Sequence, residues 1–366
     1  MNQEVKLKNK KILIAPLDWG LGHAARCIPI IKALLAARCT VVLAADGKTA
    51  TLLQTEFPHL QLLPLTGYRI SYTKNKSALA PKILAQIPKI KRAIKEEHLW
   101  LQMVVEKHQI DAVISDNRYG LHHPTIPCIL ITHQLLIKTG FGAFADSLLQ
   151  KMAYQYIDQF SECWVPDEEE NIGLAGRLSH PKILPQIPVS YIGPLSRFSI
   201  PTETVLTHFL LIILSGPEPQ RSILESILLE QVKDYKEPVL FVRGLPDSVA
   251  LPTVPYHVTI VNHLATSTLQ LAMENASFVV SRCGYSTVMD ITRLQKKAIM
   301  IPTPGQTEQE YLATYLTEKN RALCIPQSKF KLKAAIELAQ SFPYQLMPAV
   351  EDDGLEKAID SLLKRL

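Results

Sequence analysis

The sequence predicts an α/β protein made of two doubly wound, Rossmann-like domains whose parallel sheets face a cleft, and three observations carry that reading. Short apolar runs alternate with segments of helical periodicity along the whole chain. A strand, glycine turn and helix recur once in each half. Between the halves, Ile192 to Pro201 carries a Gly-Pro and a second proline without strand or helix periodicity, as an interdomain linker does. At 366 residues the chain can build two cores of ordinary size.

Strands are expected at residues 11–16, 40–45, 60–64, 111–115, 127–132, 162–165 and 189–192, and then at 208–214, 238–243, 257–261, 277–281, 298–301 and 322–325. Alternation with helices argues for sheets covered on both faces. The first strand opens through Asp18-Trp19-Gly20-Leu21-Gly22-His23 into a helix from Ala24 to Ala37. Phe278-Val279-Val280 opens through Ser281-Arg282-Cys283-Gly284-Tyr285-Ser286-Thr287 into a helix ending near Arg293. The expected domains are 1–196 and 197–345, with the helix of 346–366 packing back on the first.

Composition narrows the class. With 47% hydrophobic and 20% charged residues the chain is globular. It has neither an apolar run long enough to span a bilayer nor a signal-like start, so a cytoplasmic location is expected. Six scattered cysteines without a Cys-x-x-Cys pair argue against a zinc site or a disulfide framework and for reduced core residues. Residues 1–196 hold 22 Lys plus Arg against 16 Asp plus Glu, whereas residues 197–366 hold 17 against 18. The excess gathers at Arg69, Lys74, Lys76, Lys82, Lys89, Lys91, Arg92 and Lys95, interleaved with Leu79, Ile83, Leu84, Ile87, Ile90 and Ile94. A basic amphipathic segment suits an anionic membrane surface, and equally a solvated helix whose apolar stripe packs on its own domain; Pro81 and Pro88 argue against one long helix. No nucleic-acid partner is expected.

In open parallel sheets ligands gather at the carboxyl ends of the strands. In the first half those positions are Gly20, Gly22 and His23, then Asp116, Asn117 and Arg118, then His133 and Gln134. In the second half they are Ser215 and Gly216, Arg243, His263 and Leu264, Ser281 to Thr287, and Pro302 to Glu310. The turn at Ser281 to Thr287 presents backbone N–H groups suited to phosphate, or else Ser286 or Thr287 simply caps the helix. Asp290, inside that helix, is placed to reach ribose hydroxyls. His23, at a helix N-terminus, is the candidate general base. Asp116 is the alternative base, or else orients Arg118. Gly20-x-Gly22-x-x-Ala25 with Asp46 also fits a dinucleotide fingerprint, which keeps a nicotinamide dehydrogenase open.

These residues resemble the GT-B glycosyltransferases of family 28, which include the peptidoglycan lipid-intermediate N-acetylglucosaminyltransferase and plant monogalactosyldiacylglycerol synthases. Gly20-Leu21-Gly22-His23 is similar to that family's acceptor-side loop, and Ser281-Arg282-x-Gly284-x-x-Thr287-Val288-x-Asp290 to its donor motif. The resemblance implies donor contacts at Ser215, Gly216, Arg243, His263, Leu264, Ser281, Arg282, Gly284, Tyr285, Ser286, Thr287, Asp290, Gln306, Gln309 and Glu310. It implies acceptor contacts at Gly20, Gly22, Asn117, Arg118, His133 and Gln134. The implied reaction is inverting transfer of a hexose or N-acetylhexosamine, UDP-N-acetylglucosamine included, from a UDP-sugar to a lipid-linked or envelope glycan acceptor at the inner membrane face. No cofactor or metal is obligatory for it. A UDP-sugar epimerase shares the architecture. The donor loop departs from the pattern, with one glycine and two prolines in Ser215 to Arg221.

Overall fold

The computed structural model describes residues 9–69, 86–170, 173–201, 208–246, 248–348 and 353–366. Every expected apolar run forms a strand, and all pairings are parallel. The first sheet contains β1 (Lys11–Pro16), β2 (Thr40–Ala45), β3 (Gln61–Pro64), β4 (Ala112–Asp116), β5 (Cys128–Ile131), β6 (Glu162–Val165) and β7 (Val189–Tyr191), in the order β3-β2-β1-β4-β5-β6-β7. The second contains β8 (Leu210–Ile213), β9 (Val239–Val242), β10 (Val258–Val261), β11 (Phe278–Arg282), β12 (Ala298–Ile301) and β13 (Leu323–Cys324), in the order β10-β9-β8-β11-β12-β13. Each sheet reverses its winding beside its first strand, between β1 and β4 and between β8 and β11. That switch point is where a crevice opens at the strand carboxyl ends.

The helices are α1 (Leu21–Ala36), α2 (Gly47–Glu56), α3 (Ile87–His108), α4 (Ala143–Ile157), α5 (Gln220–Gln231), α6 (Thr266–Asn275), α7 (Tyr285–Arg293), α8 (Thr307–Glu318), α9 (Leu332–Ser341) and α10 (Gly354–Leu363). Helix α1 begins at Leu21, three residues before the expected Ala24, because Gly20 at φ 92° makes the turn and the residues after it already wind as helix. Its Ile28, Ile31 and Leu34 join one apolar cluster with Val288 and Met289 of α7, so the largest core runs across the domain boundary. Burying side chains of that size stabilises by about 1.5–3 kcal/mol each. Helix α10 adds Ala358, Ile359 and Leu362 to the same cluster. Arg365 of the C-terminus pairs with Glu162 of β6 at 2.5 Å.

Of the basic stretch, Arg69 is exposed and pairs with Asp46, and helix α3 carries Lys89, Lys91, Arg92 and Lys95; Lys74, Lys76, Lys82, Leu79, Ile83 and Leu84 lie outside the described residues. Ile90 and Ile94 pack against Leu17 and Tyr68 of the same domain. That part of the apolar stripe is therefore core and cannot also face lipid. The outer face presents Arg92, Lys95, Leu99 and Met103. Among the described residues, no helix is long and apolar enough to cross a membrane.

Candidate active site

Parallel register brings the ends of three strands together. Pro16 of β1 lies opposite Asp116 of β4, and Asp116 opposite Ile131 of β5, so the turn after β1, Asp116 and the segment after β5 share one rim. His23 sits in the first turn of α1, with Nδ1 3.1 Å from Asp116 Oδ2. One turn later Arg26 donates its Nε to the same oxygen at 2.8 Å and an Nη2 hydrogen to Asp116 Oδ1. Asp116 is 0% exposed and Arg26 2%, whereas the His23 side chain is 16% exposed. Burial alone would raise the Asp116 carboxyl, but the charges and hydrogen bonds of Arg26 and His23 outweigh it and bring the group to about 2. Asp116 is thus an inaccessible carboxylate that is ionised at neutral pH.

This geometry assigns roles that the sequence left open. Asp116 is sealed from solvent, and its ion-pair partner is Arg26 and not Arg118. Arg118 is itself buried, with Nε on Glu97 Oε1 at 2.7 Å and further donors on the carbonyls of Pro16 and Thr66. It braces the rim from below and is not an acceptor contact. Arg26 Nη2 also stands 2.9 Å from His23 Nδ1, but an anionic carboxylate attracts that guanidinium more strongly than a neutral ring nitrogen does. With its proton on Nδ1, toward Asp116, His23 keeps an Nε2 lone pair free to accept a proton. Asn117 and Gln134 are half-buried on the same rim, Asn117 at φ 56°.

The second domain presses its own strand–turn–helix against this turn. Helix α7 starts at Tyr285 with Gly284 as N-cap and no side-chain cap, so neither Ser286 nor Thr287 caps it. Ser286 Oγ instead donates to the Gly22 carbonyl at 3.0 Å. A Cβ at 22 would lie 2.9 Å from that hydroxyl, so any larger residue there would displace Ser286 from its hydrogen bond. Gly20 also approaches the donor loop, since a Cβ on it would stand 3.9 Å from Gly216 Cα. Both glycine turns and the start of α7 therefore meet at His23.

Other expected donor contacts are placed differently. Arg282 is 1% exposed and donates to the carbonyls of Gln220, Ile301 and Pro302; burial lowers its guanidinium to about 10. Arg243 is held by Glu225, Asn262 and the Ala250 carbonyl. Both satisfy protein groups, because loop carbonyls and buried carboxylates at the strand ends need donors, and neither is aimed at a diphosphate. Tyr285 is buried between the domains, its hydroxyl donating to the Pro166 carbonyl at 2.8 Å. Ser281 is buried with its hydroxyl turned to the Arg282 carbonyl. Asp290 accepts from Ser196 Oγ at 2.6 Å and lies 3.8 Å from Arg197 Nε, so its carboxylate faces the linker. Asp46 caps α2 through the Gly47 N–H, which accounts for it without a nicotinamide ribose.

His263 and Leu264 form the turn between β10 and α6, and Ser215 and Gly216 the turn after β8. Gln309 accepts from the Thr303 N–H at 2.9 Å and Glu310 from the Gly305 N–H at 3.0 Å, which shapes the loop before α8. Gln306 Oε1 is buried without a hydrogen-bond partner. Next to this loop a cavity of about 280 Å³ lies between the domains, lined by Lys138, Gly140, Gly142 and Asp146 on one side and Thr307, Glu310 and Tyr311 on the other. Among the described residues, no cluster of His, Cys, Asp or Glu is arranged to hold a metal ion. The sequence analysis did not single out Arg26, and it included Glu308 only within the Pro302 to Glu310 rim. Arg26 had a signal, as the single charge on an otherwise apolar stretch of α1 between Ala24 and Ile31.

Comparison with known proteins agrees with this arrangement. Residues 256–362 match the glycosyltransferase family 28 C-terminal domain. That match covers the C-terminal part of the chain, from the strand at Val258 to the last helix. Among curated relatives, the UDP-N-acetylglucosamine--N-acetylmuramyl-(pentapeptide) pyrophosphoryl-undecaprenol N-acetylglucosamine transferase of one Methylorubrum extorquens strain is 34% identical over 94 residues, 24% of this chain and 26% of that protein. Its counterpart in a second strain of the same species is 38% identical over 73 residues, 19% of this chain and 20% of that protein. The chain thus spans only about a quarter of the length of these curated relatives in the matched regions. The whole fold is shared more widely. SnogD from Streptomyces nogalater, a glycosyltransferase, is 13% identical with a TM-score of 0.57, covering 97% of this chain and 100% of that one. Arabidopsis thaliana UGT89C1 complexed with quercetin is 13% identical with a TM-score of 0.64 over 97% and 100% of the two chains. The matched region is therefore part of a fold of the GT-B type shared with these glycosyltransferases.

Proposed function

We propose that this chain is an inverting glycosyltransferase that moves a hexose or N-acetylhexosamine from a UDP-sugar to a hydroxyl of a lipid-linked or envelope glycan acceptor. The observation that carries the reading is the His23–Asp116 pair, placed directly against the uncapped N-terminus of α7. The acceptor hydroxyl gives its proton to His23 Nε2 as its oxygen bonds to the anomeric carbon. The bond from that carbon to the UDP oxygen breaks on the opposite face, and the electron pair leaves with UDP. Asp116 stabilises the imidazolium so formed. Charge growing on the leaving diphosphate meets the N–H groups that open α7 and α1. The M. extorquens relatives are named for UDP-N-acetylglucosamine, which supports a UDP-sugar as the donor.

Asp290 supplies the test of the donor side. Reaching a ribose requires its carboxylate to exchange or share the Ser196 contact, and a charged hydrogen bond of this kind contributes about 1.5–3 kcal/mol. Asp290→Asn keeps an oxygen for Ser196 but removes the charge. UDP affinity measured by calorimetry is expected to fall about tenfold or more; equal affinity in variant and wild type rules out residues 281–290 as the nucleotide site.

The outer face of α3 extends the proposal to the membrane, placing the protein peripherally on the inner face of the cytoplasmic membrane. Lys89, Lys91, Arg92 and Lys95 are exposed, and each cation contributes up to about 1 kcal/mol at an anionic surface before salt screening. Pelleting with anionic liposomes should be strong at low salt and weak at high salt. It should drop when Lys82, Lys89, Lys91 and Arg92 become Gln. Equal pelleting of both proteins, or none of either, makes a soluble acceptor the better reading.

A further inference from the structure

One buried side chain joins the two domains behind the base. His133, 4% exposed, has Nδ1 3.3 Å from Arg26 Nη1 and Nε2 2.8 Å from Glu308 Oε1 of α8. A guanidinium only donates, so Nδ1 is the acceptor and the single ring proton sits on Nε2, facing the carboxylate. Burial also favours the neutral ring, with Glu308 pulling the other way. Tyr285 of α7 stacks on the imidazole, with ring centroids 4.1 Å apart and planes 13° from parallel. A single run of hydrogen bonds therefore starts on the second domain at Glu308, passes through His133 and Arg26, and ends at Asp116 and His23.

The proton transfer itself uses neither His133 nor Glu308. Arg26 nevertheless needs them. Its Nε and Nη2 hydrogens go to Asp116, and Nη1, buried with the rest of the guanidinium, has His133 as its partner. Without that partner the guanidinium is left with an unpaired buried donor and turns to find another, taking Asp116 and His23 with it. Both groups that fix His133, the Glu308 carboxylate and the Tyr285 ring, belong to the second domain.

We infer that His133 and Glu308 are positioning residues that set the His23–Asp116–Arg26 arrangement only when the two domains are closed on each other. The inference rests on His23 being the base of the proposed transfer. Domain closure over a nucleotide sugar would then assemble the base, so that a donor-free, open enzyme holds a misaligned one.

The test uses His133→Phe, which keeps a ring on Tyr285 but deletes both hydrogen bonds, together with Glu308→Ala, Glu308→Gln and the double variant His133→Phe/Glu308→Ala. Each of the first two should lower kcat about 10- to 100-fold with donor KM within about twofold, and the double variant should be no slower than either alone. Glu308→Gln retains an acceptor oxygen for His133 and should recover to within about fivefold of wild type. Multiplying effects in the double variant, or a loss expressed mainly in donor KM, overturns the inference and makes Glu308 a sugar contact. An arm independent of turnover reads the His23 imidazole in histidine-labelled protein by nitrogen–proton correlation spectra, assigned against His23→Ala. The His23 signals should move in His133→Phe and Glu308→Ala and return in Glu308→Gln. Signals unchanged in both overturn the positioning role even if transfer is demonstrated. Moved signals in a protein that transfers no sugar would reject the transfer reading and keep the coupling. Glu308, less buried than His133, carries the test if His133→Phe misfolds.

Discussion

His23→Ala is expected to lower turnover by about a hundred- to ten-thousand-fold while UDP affinity stays within about twofold of wild type. The imidazole acts on the acceptor proton in the transition state, and the nucleotide lies against the other domain. Truncation should also leave folding intact, because the ring is partly exposed and Asp116 keeps Arg26 as its ion-pair partner. The measurement is UDP release under saturating donor beside calorimetric UDP binding. A variant with near wild-type turnover removes His23 from the chemistry.

Asp116→Asn should cost both activity and stability. The substitution leaves the Arg26 guanidinium, 2% exposed, without its counter-charge, and it turns an amide N–H₂ toward donors that needed an acceptor. Breaking a buried pair from one side costs about 3–5 kcal/mol, a large share of the stability of an ordinary domain. The wild type carries a matching pH signature. The Asp116 carboxyl is held at about 2 against an ordinary 3.8, so its contribution is complete above pH 4 and is lost as pH falls from about 4 toward 2. At about 1.4 kcal/mol per pH unit of displacement this amounts to about 2 kcal/mol. Urea midpoints measured from pH 6 down to pH 2.5 should fall faster in wild type than in Asp116→Asn. Parallel curves would mean that the pair does not hold this carboxylate ionised.

The strands were legible because a parallel sheet buried on both faces requires runs such as Ile12-Leu13-Ile14 and Val279-Val280, which no other context explains as well. The glycine turn after β1 was legible too, and with it the position of His23 in the first turn of α1. The cationic residues near the strand ends are engaged by protein groups that the sequence does not show, for one physical reason. Arg118, Arg243 and Arg282 stand where ligands gather, but buried loop carbonyls and carboxylates gather there as well, and their partners Glu97, Glu225 and the Gln220 carbonyl lie far away in sequence. Arg26 was missed for the converse reason. A lone arginine on a helix reads as solvated until its partner Asp116, 90 residues away, is known to lie beside it. The basic stretch before α3 combined two faces that the helix separates, with Ile90 and Ile94 turned inward and Arg92 and Lys95 outward.

The central claim is that the start of α7 and the His23–Asp116 pair form one donor-and-base site for glycosyl transfer. It is tested most directly by following UDP release from a panel of UDP-sugars, with and without lipid extract as the source of acceptor, in wild type and in His23→Ala. The account predicts that one donor yields UDP only when acceptor is present, together with a glycosylated product, and that His23→Ala yields almost none. Conversion of the sugar on UDP without release of UDP, or equal UDP release by both proteins, would contradict it.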